Sequence, residues 1–217
     1  LNRQGGVMGL DVDLARGLAR AMRVQLDIKV LPFGDLLTAL EKGEIDLVMS
    51  NMSITPERSE KAYFAGPYMM TGKSILTRSS VLAQVESTGA INRADLKVAA
   101  IAKSTSATFA QENTPEAELT TTATSDEAVA LLIAGKVDAV LADMAVCKLA
   151  VLRNPESGLV TLKKPLTMEP VGIAIKADDR QLQNLIDNFM DAFGKTGVLG
   201  QLRKKWFENG DWVAALP

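Results

Sequence analysis

Three places in this chain of 217 residues combine residue types that could grip a small charged molecule. The first is the corner Ser50-Asn51-Met52-Ser53, which runs into Thr55-Pro56-Glu57-Arg58. Thr55 suits a helix N-cap and Pro56 the first helical position, which puts Arg58 in the first turn. The helix dipole there favours anions, so an arginine makes sense if it and the helix end receive a carboxylate together. A guanidinium can hold that carboxylate in bidentate fashion. The competing reading pairs Arg58 with Glu57 or Glu60 on a solvated surface, where such pairs contribute little. The second place is Ser104-Thr105-Ser106, between a strand and a helix. Its hydroxyls and N–H groups could take the same carboxylate, or simply cap the helix. The third is Asp143, directly after the apolar run Val137–Leu141, suited to an ammonium group or to capping the helix that follows. A cationic, a hydroxyl-rich and an anionic corner together describe a receptor for a zwitterion.

Composition removes much else. There is no histidine, so His-based general bases, Ser-His triads and the commonest zinc ligands are excluded, while carboxylate and lysine chemistry stays open. A single cysteine, Cys147, allows no intrachain disulfide and no cysteine-cluster metal site. The sequence therefore implies no metal and no cofactor. With 24 basic against 26 acidic residues and no basic tract, nucleic acid is not an expected partner. Apolar runs are too short to cross a bilayer. No signal peptide is visible, as in a mature exported or a trimmed chain.

The elements that would carry these corners alternate strand and helix, an α/β pattern. Asp11 can cap a helix with the apolar face Leu14, Ala15, Leu18 and Met22, followed by a strand alternating through Leu26, Ile28 and Val30. Phe33 to Glu41 reads as a helix closed by Gly43, then Ile45 to Met49 as a strand. After a loop near 79–88, strands are expected at Val98–Ile101, Leu119–Thr121 and Val137–Leu141. Helices are expected from Ser104 or Thr105 to Glu112, from a Ser125 cap, and over Met144–Leu152. A strand at Val171–Ile175 and amphipathic helices near Asp179–Phe193 and Val198–Trp206 complete the pattern. One internal echo stands out: Leu40–Val48 and Leu132–Val140 both read as helix end, glycine, charged residue, then a strand with aspartate in second place. The two lie about ninety residues apart, the spacing of two similar lobes rather than of a solenoid.

With these residues in view, the chain resembles family 3 of the extracellular solute-binding proteins, the polar amino-acid-binding components of ABC importers. The resemblance runs from Gly9 to Pro217 through Gly9–Ala15, Met49–Arg58, Phe64-Ala65-Gly66-Pro67-Tyr68, Val137–Asp143 and Gly197-Val198-Leu199. It implies a two-lobed, type II periplasmic-binding-protein-like fold, each lobe a mixed sheet flanked by helices and joined by a two-segment hinge. Lobe one would take 1–70 and 171–217, and lobe two 71–170. By the same resemblance Arg58 and Ser53 bind the ligand carboxylate, and Thr105 with the Ser104–Ser106 turn closes on it. Asp143, aided by the region of Asn51, binds the ammonium, and Phe33 covers the ligand side chain. Phe33 could equally be an ordinary core residue. The implied partners are an amino acid and a membrane permease, the implied location periplasmic, and the mechanism hinge closure of a monomer.

Two departures from the family pattern matter. Lys103 stands where glycine is common in the second-lobe turn. The usual first strand is also missing, which would leave unpaired backbone and opens the chance of strand exchange. Two other functions share the scaffold. A cyclohexadienyl-dehydratase-like enzyme would need a positioned acid, for which Glu169 with Lys73 as counterpart is the candidate, although both could be ordinary hinge-surface charges. A sensory module would use the same binding chemistry as a transport receptor.

Overall fold

A computed structural model of the chain describes residues 3–85, 87–209 and 211–216; positions 1, 2 and 217, at the ends of the expected first lobe, lie outside the described residues. In chain order the elements are α1 (Leu10–Met22), α2 (Leu36–Glu41), β1 (Leu47–Val48), α3 (Pro56–Ser59), β2 (Ala62–Thr71) and β3 (Lys73–Thr77). Then come β4 (Lys97–Ile101), α4 (Thr105–Asn113), β5 (Glu118–Thr122), α5 (Ser125–Ile133), β6 (Ala139–Asp143) and α6 (Met144–Arg153). The chain finishes with β7 (Val160–Thr161), β8 (Glu169–Lys176), α7 (Arg180–Lys195) and α8 (Val198–Arg203). They divide into two compact units: Leu1–Leu31, Asp35–Met70 and Pro170–Pro217 form the first, and Pro32–Gly34 with Thr71–Glu169 the second.

In the first unit the sheet order is β1-β8-β2, with Leu47 opposite Ile175 and Val48 opposite Ala174 in antiparallel register. Its core joins Leu10, Leu14 and Leu18 of α1 to Ile173 and Ile175 of β8 and to Ile186 and Met190 of α7. The helical residues recur at intervals of four, so each helix turns one apolar stripe toward the sheet. Burying leucines as fully as Leu14 and Leu18 stabilises by about 1.5–3 kcal/mol each. Asp11 does not cap α1, because the helix starts one residue earlier with Gly9 at the cap position. Its carboxylate instead accepts from the Tyr68 hydroxyl at 2.7 Å and from the Asn51 backbone N–H at 2.8 Å. Burial pushes the Asp11 carboxyl above its usual range, against the lowering effect of those two donors, and burial also pushes the Tyr68 phenol well up.

The second unit holds a mixed sheet of order β5-β4-β6-β3-β7. The strand β4 is parallel to β5 and β6, while β3 is antiparallel to β6 and β7. Its central strands are buried on both faces, and the period of two sorts their residues cleanly. Ile75, Val98, Ala100 and Leu141 face the cluster completed by Ala107 and Ala110 of α4. Leu76, Ala99, Val140 and Ala142 face the other way, onto Ala128 and Leu132 of α5 and Cys147 of α6.

The echo noted in the sequence is a repeated helix stop. Gly43 has φ 72° and Gly135 φ 67°, the left-handed region that glycine enters without a Cβ penalty. In each copy the glycine N–H donates to the carbonyl three residues back, Leu40 or Leu132. The next N–H, of Glu44 or Lys136, reaches the carbonyl of Ala39 or Leu131. That is the Schellman pattern, and it delivers the chain into β1 in one unit and toward β6 in the other.

Several expectations need correction. The alternating stretch through Leu26, Ile28 and Val30 is neither strand nor helix, and Ile28 and Val30 are exposed. Alternation marks a face that could pair, but a strand exists only with a hydrogen-bonding neighbour, and none is found among the described residues. Thr124, not Ser125, caps α5, its hydroxyl accepting from the Glu127 N–H. The strand expected at Val137–Leu141 is shifted, so β6 ends at Asp143. The strands β2 and β3 were not anticipated; in the ten-residue β2, Gly66-Pro67 breaks any alternation over 62–71.

Replacing Asp11 by Ala should cost about 2–4 kcal/mol in urea unfolding, since it strands a hydroxyl and an N–H. The raised carboxyl makes this group's contribution largest below its unfolded value and smaller as pH rises through the folded one. The cost should therefore shrink between pH 4 and pH 7; a cost that grows over that interval contradicts the assignment. The Cys147 thiol, buried and pushed up to about 12, should resist a thiol reagent until denaturant unfolds the second unit, and prompt reaction in the folded protein would contradict its placement.

Candidate functional site

In the first unit, Asn51, Ser53 and Arg58 come together at the turn after β1. Asn51 adopts φ 49°, and its N–H is fixed by Asp11. The chain then lies antiparallel on the start of β8: Ser53 bridges Val171, Ile54 N–H donates to the Pro170 carbonyl, and Gly172 N–H donates to the Met52 carbonyl. Thr55 caps the short α3 as expected, accepting from the Arg58 N–H at 3.3 Å. The half-buried Arg58 guanidinium donates through Nη1 to the Ser53 carbonyl at 2.8 Å. That bond fixes the direction of the cation.

In the second unit, Thr105 and Asp143 are brought together, and two further residues join them. Lys73 opens β3, directly opposite Asp143 in the antiparallel ladder with β6. Both belong to the face that carries Ile75 and Leu141, the face covered by α4, so both side chains turn toward its first residue, Thr105. Lys73 Nζ lies 2.7 Å from Asp143 Oδ1, 2.6 Å from Thr105 Oγ1 and 3.0 Å from Glu169 Oε2. An ammonium has three protons, and here each has an acceptor. The Thr105 hydroxyl in turn donates to Glu169 Oε2 at 3.0 Å, and Thr167 donates to Glu169 Oε1 at 3.1 Å. The Lys73 side chain is 1% exposed, against 11% for Asp143 and 19% for Glu169.

A close backbone approach holds Glu169 there. A Cβ on Gly72 would fall 1.8 Å from the Thr167 carbonyl oxygen, so only glycine admits the segment leading to Glu169. Leu166 N–H bonds the Lys73 carbonyl, and Lys73 N–H bonds the Thr167 hydroxyl.

The remaining expected residues take lesser places. Ser104 caps α4, its hydroxyl accepting from the Ala107 N–H and donating to the Ile101 carbonyl. Asp143 occupies the N-cap position of α6 without a side-chain capping bond. Lys103 takes φ 59°, the backbone region a glycine would take, and its side chain packs against Gly34. Phe33 opens a single 3-10 turn, is half-buried, and belongs to none of the three apolar clusters. What sequence reasoning missed is Lys73 as the partner of Asp143. The one available signal was a lysine two residues before the apolar pair Ile75-Leu76. Among the described residues no group of histidine, cysteine and carboxylate side chains could hold a metal ion, and no helix is long and apolar enough to cross a membrane.

Lys73→Met should cost about 3–5 kcal/mol in urea unfolding, because it leaves two enclosed carboxylates facing each other. Combined with Asp143→Asn, the loss should fall short of the summed single losses by about 1 kcal/mol or more. Simple additivity would contradict the pairing.

Known proteins resemble this chain over most of its length. The ABC transporter arginine-binding protein 1 of Escherichia coli is 27% identical over 210 residues, covering 93% of this chain and 82% of that protein. A crystal structure of an ancestral amino-acid-binding protein, described as a precursor of cyclohexadienyl dehydratase, superposes with TM-score 0.86 at 32% identity. That match covers 95% of this chain and 88% of the other. A binding component of an ABC transporter from Wolinella succinogenes, complexed with lysine, gives TM-score 0.89 at 30% identity, covering 98% and 91%. Matched by its family model over residues 1–209, the chain belongs to the bacterial extracellular solute-binding proteins, family 3.

Proposed function

We propose that this protein is the solute-binding component of an ABC importer, working outside the cytoplasmic membrane, and that its ligand is a small L-α-amino acid or a related zwitterion. In this reading Arg58 and Ser53 take the carboxylate, with the Ser104–Ser106 turn and Thr105 as further donors. Asp143, aided by the region of Asn51, takes the α-ammonium, and Phe33 lies along the side chain. The observation that carries the reading is the directed Arg58 guanidinium, half-buried and held by the Ser53 carbonyl. A cation fixed in that way is prepared for a carboxylate before the ligand arrives, which lowers the ordering cost of binding. Relatives whose names specify arginine binding or whose structures hold lysine support the amino-acid class. The protein's role is binding, and the solute leaves chemically unchanged.

One observation favours a second reading, a dehydratase on the same scaffold. Glu169 and Lys73, the acid and counterpart such an enzyme would need, lie 3.0 Å apart. The precursor relationship of one structural neighbour supports it as well.

Thermal unfolding with each common L-amino acid tests the first reading. A ligand present at about 100 times its Kd stabilises by about 2.7 kcal/mol, a shift of several degrees in Tm. A rise with one amino acid or a few, abolished by Arg58→Ala in a protein that still unfolds cooperatively, is the expected result. An equal rise in the variant would remove Arg58 from the site.

A further inference from the structure

Residues 25–31 of the first unit carry a backbone that no other part of the chain answers. Among the described residues, no N–H or carbonyl in that stretch has a hydrogen-bond partner, so both of its edges are open to another strand. In an extended chain Leu26, Ile28 and Val30 share one face, and Asp27 and Lys29 share the other. Ile28 is 39% exposed and Val30 78%, so the apolar face is uncovered over much of its length. Asp27 has no ion pair or hydrogen bond among the described residues. Lys29 Nζ donates to the Glu44 carbonyl at 2.7 Å, which leaves two of its three protons for a carboxylate.

Charges on an open edge ordinarily keep other strands away. Here their order lets one partner through. Leu26-Asp27-Ile28-Lys29-Val30 runs apolar, acid, apolar, base, apolar, so it complements its own reverse. Two copies laid antiparallel about a two-fold axis through Ile28 set Ile28 against Ile28, Leu26 against Val30 and, twice over, Asp27 against Lys29. Apolar and opposite-charge pairs facing each other across a ladder stabilise it, whereas like charges repel. An axis through Asp27 would bring its carboxylate against its own copy, so the charges specify a single register. Pro32, which lacks an N–H, ends the run. We infer that residues 26–30 form an edge at which two copies of this chain pair antiparallel, with Asp27 and Lys29 setting the register. So short an edge buries far less than the roughly 1,200–2,000 Å² of a stable interface, so the dimer is weak, with a dissociation constant of about 10 µM to 1 mM. Pairing of this kind goes beyond the proposed binding function and does not depend on it.

Sedimentation equilibrium of the whole chain between about 10 µM and 1 mM tests this. The mean mass should rise with concentration from one chain toward two. Asp27→Lys alone, or Lys29→Asp alone, sets like charges opposite each other at both ends of the ladder, and each should weaken association about tenfold or more. The double variant Asp27→Lys with Lys29→Asp restores opposite pairs in the same register and should return association to within about threefold of wild type. Mixed in equal amounts, the two single variants should likewise pair with each other. Both positions are exposed, so the melting temperature should not change, which separates lost pairing from lost folding. A wild-type chain that stays monomeric up to about 1 mM overturns the inference. So does a dimer that the single variants leave intact, or a failure to recover in either the double variant or the mixture. Each of these results leaves the receptor reading standing, since that rests on ligand binding.

Discussion

A lysine ammonium removed from water must find acceptors for all three of its protons, and much of the second unit is arranged to meet that demand. Lys73 obtains them from three separate parts of the chain: Asp143 at the end of β6, Thr105 at the start of α4 and Glu169 at the start of β8. None of the three can be moved alone. The ladder register sets Lys73 opposite Asp143, the strand period turns both toward α4, and Gly72 lets the backbone near Thr167 approach closely enough to deliver Glu169. The ion cluster is thus a consequence of the sheet and also a constraint on it.

The first unit solves a comparable problem with opposite charge. The enclosed Asp11 carboxylate is answered by the Tyr68 hydroxyl and the Asn51 N–H, and the second of these fixes the corner from which Ser53 and Arg58 extend. In both units an enclosed charge, and not apolar packing alone, ties down polar groups: Asp11 in the first and Lys73 in the second. Desolvating such charges is expensive, and a binding function gives that expense a purpose.

How much was legible beforehand depended on how local the determining interaction is. The repeated stop at Gly43 and Gly135 was visible because a Schellman turn is written in consecutive residues. The Ser104 cap and the Thr55-Pro56 start of α3 were visible for the same reason. The stretch around Leu26, Ile28 and Val30 misled because alternation describes a face, whereas a strand also requires a neighbour. Asp143 was found as a candidate from its place after an apolar run. Its partner escaped notice because Lys73 lies 70 residues earlier in the chain, and only the β3–β6 register joins them. The family resemblance supplied roles for Arg58, Ser53 and Thr105, but not the lysine between Thr105 and Asp143.

The measurement that tests the central claim most directly is a mass balance. The purified protein is incubated with a ligand found by titration, and separately with a carboxylated cyclohexadiene, and bound and free species are followed by proton NMR. A receptor holds one ligand per chain and releases it unchanged however long the incubation lasts. Conversion of either compound beyond one equivalent per chain, lost in Glu169→Gln, would contradict the account and make the Lys73–Glu169 pair catalytic.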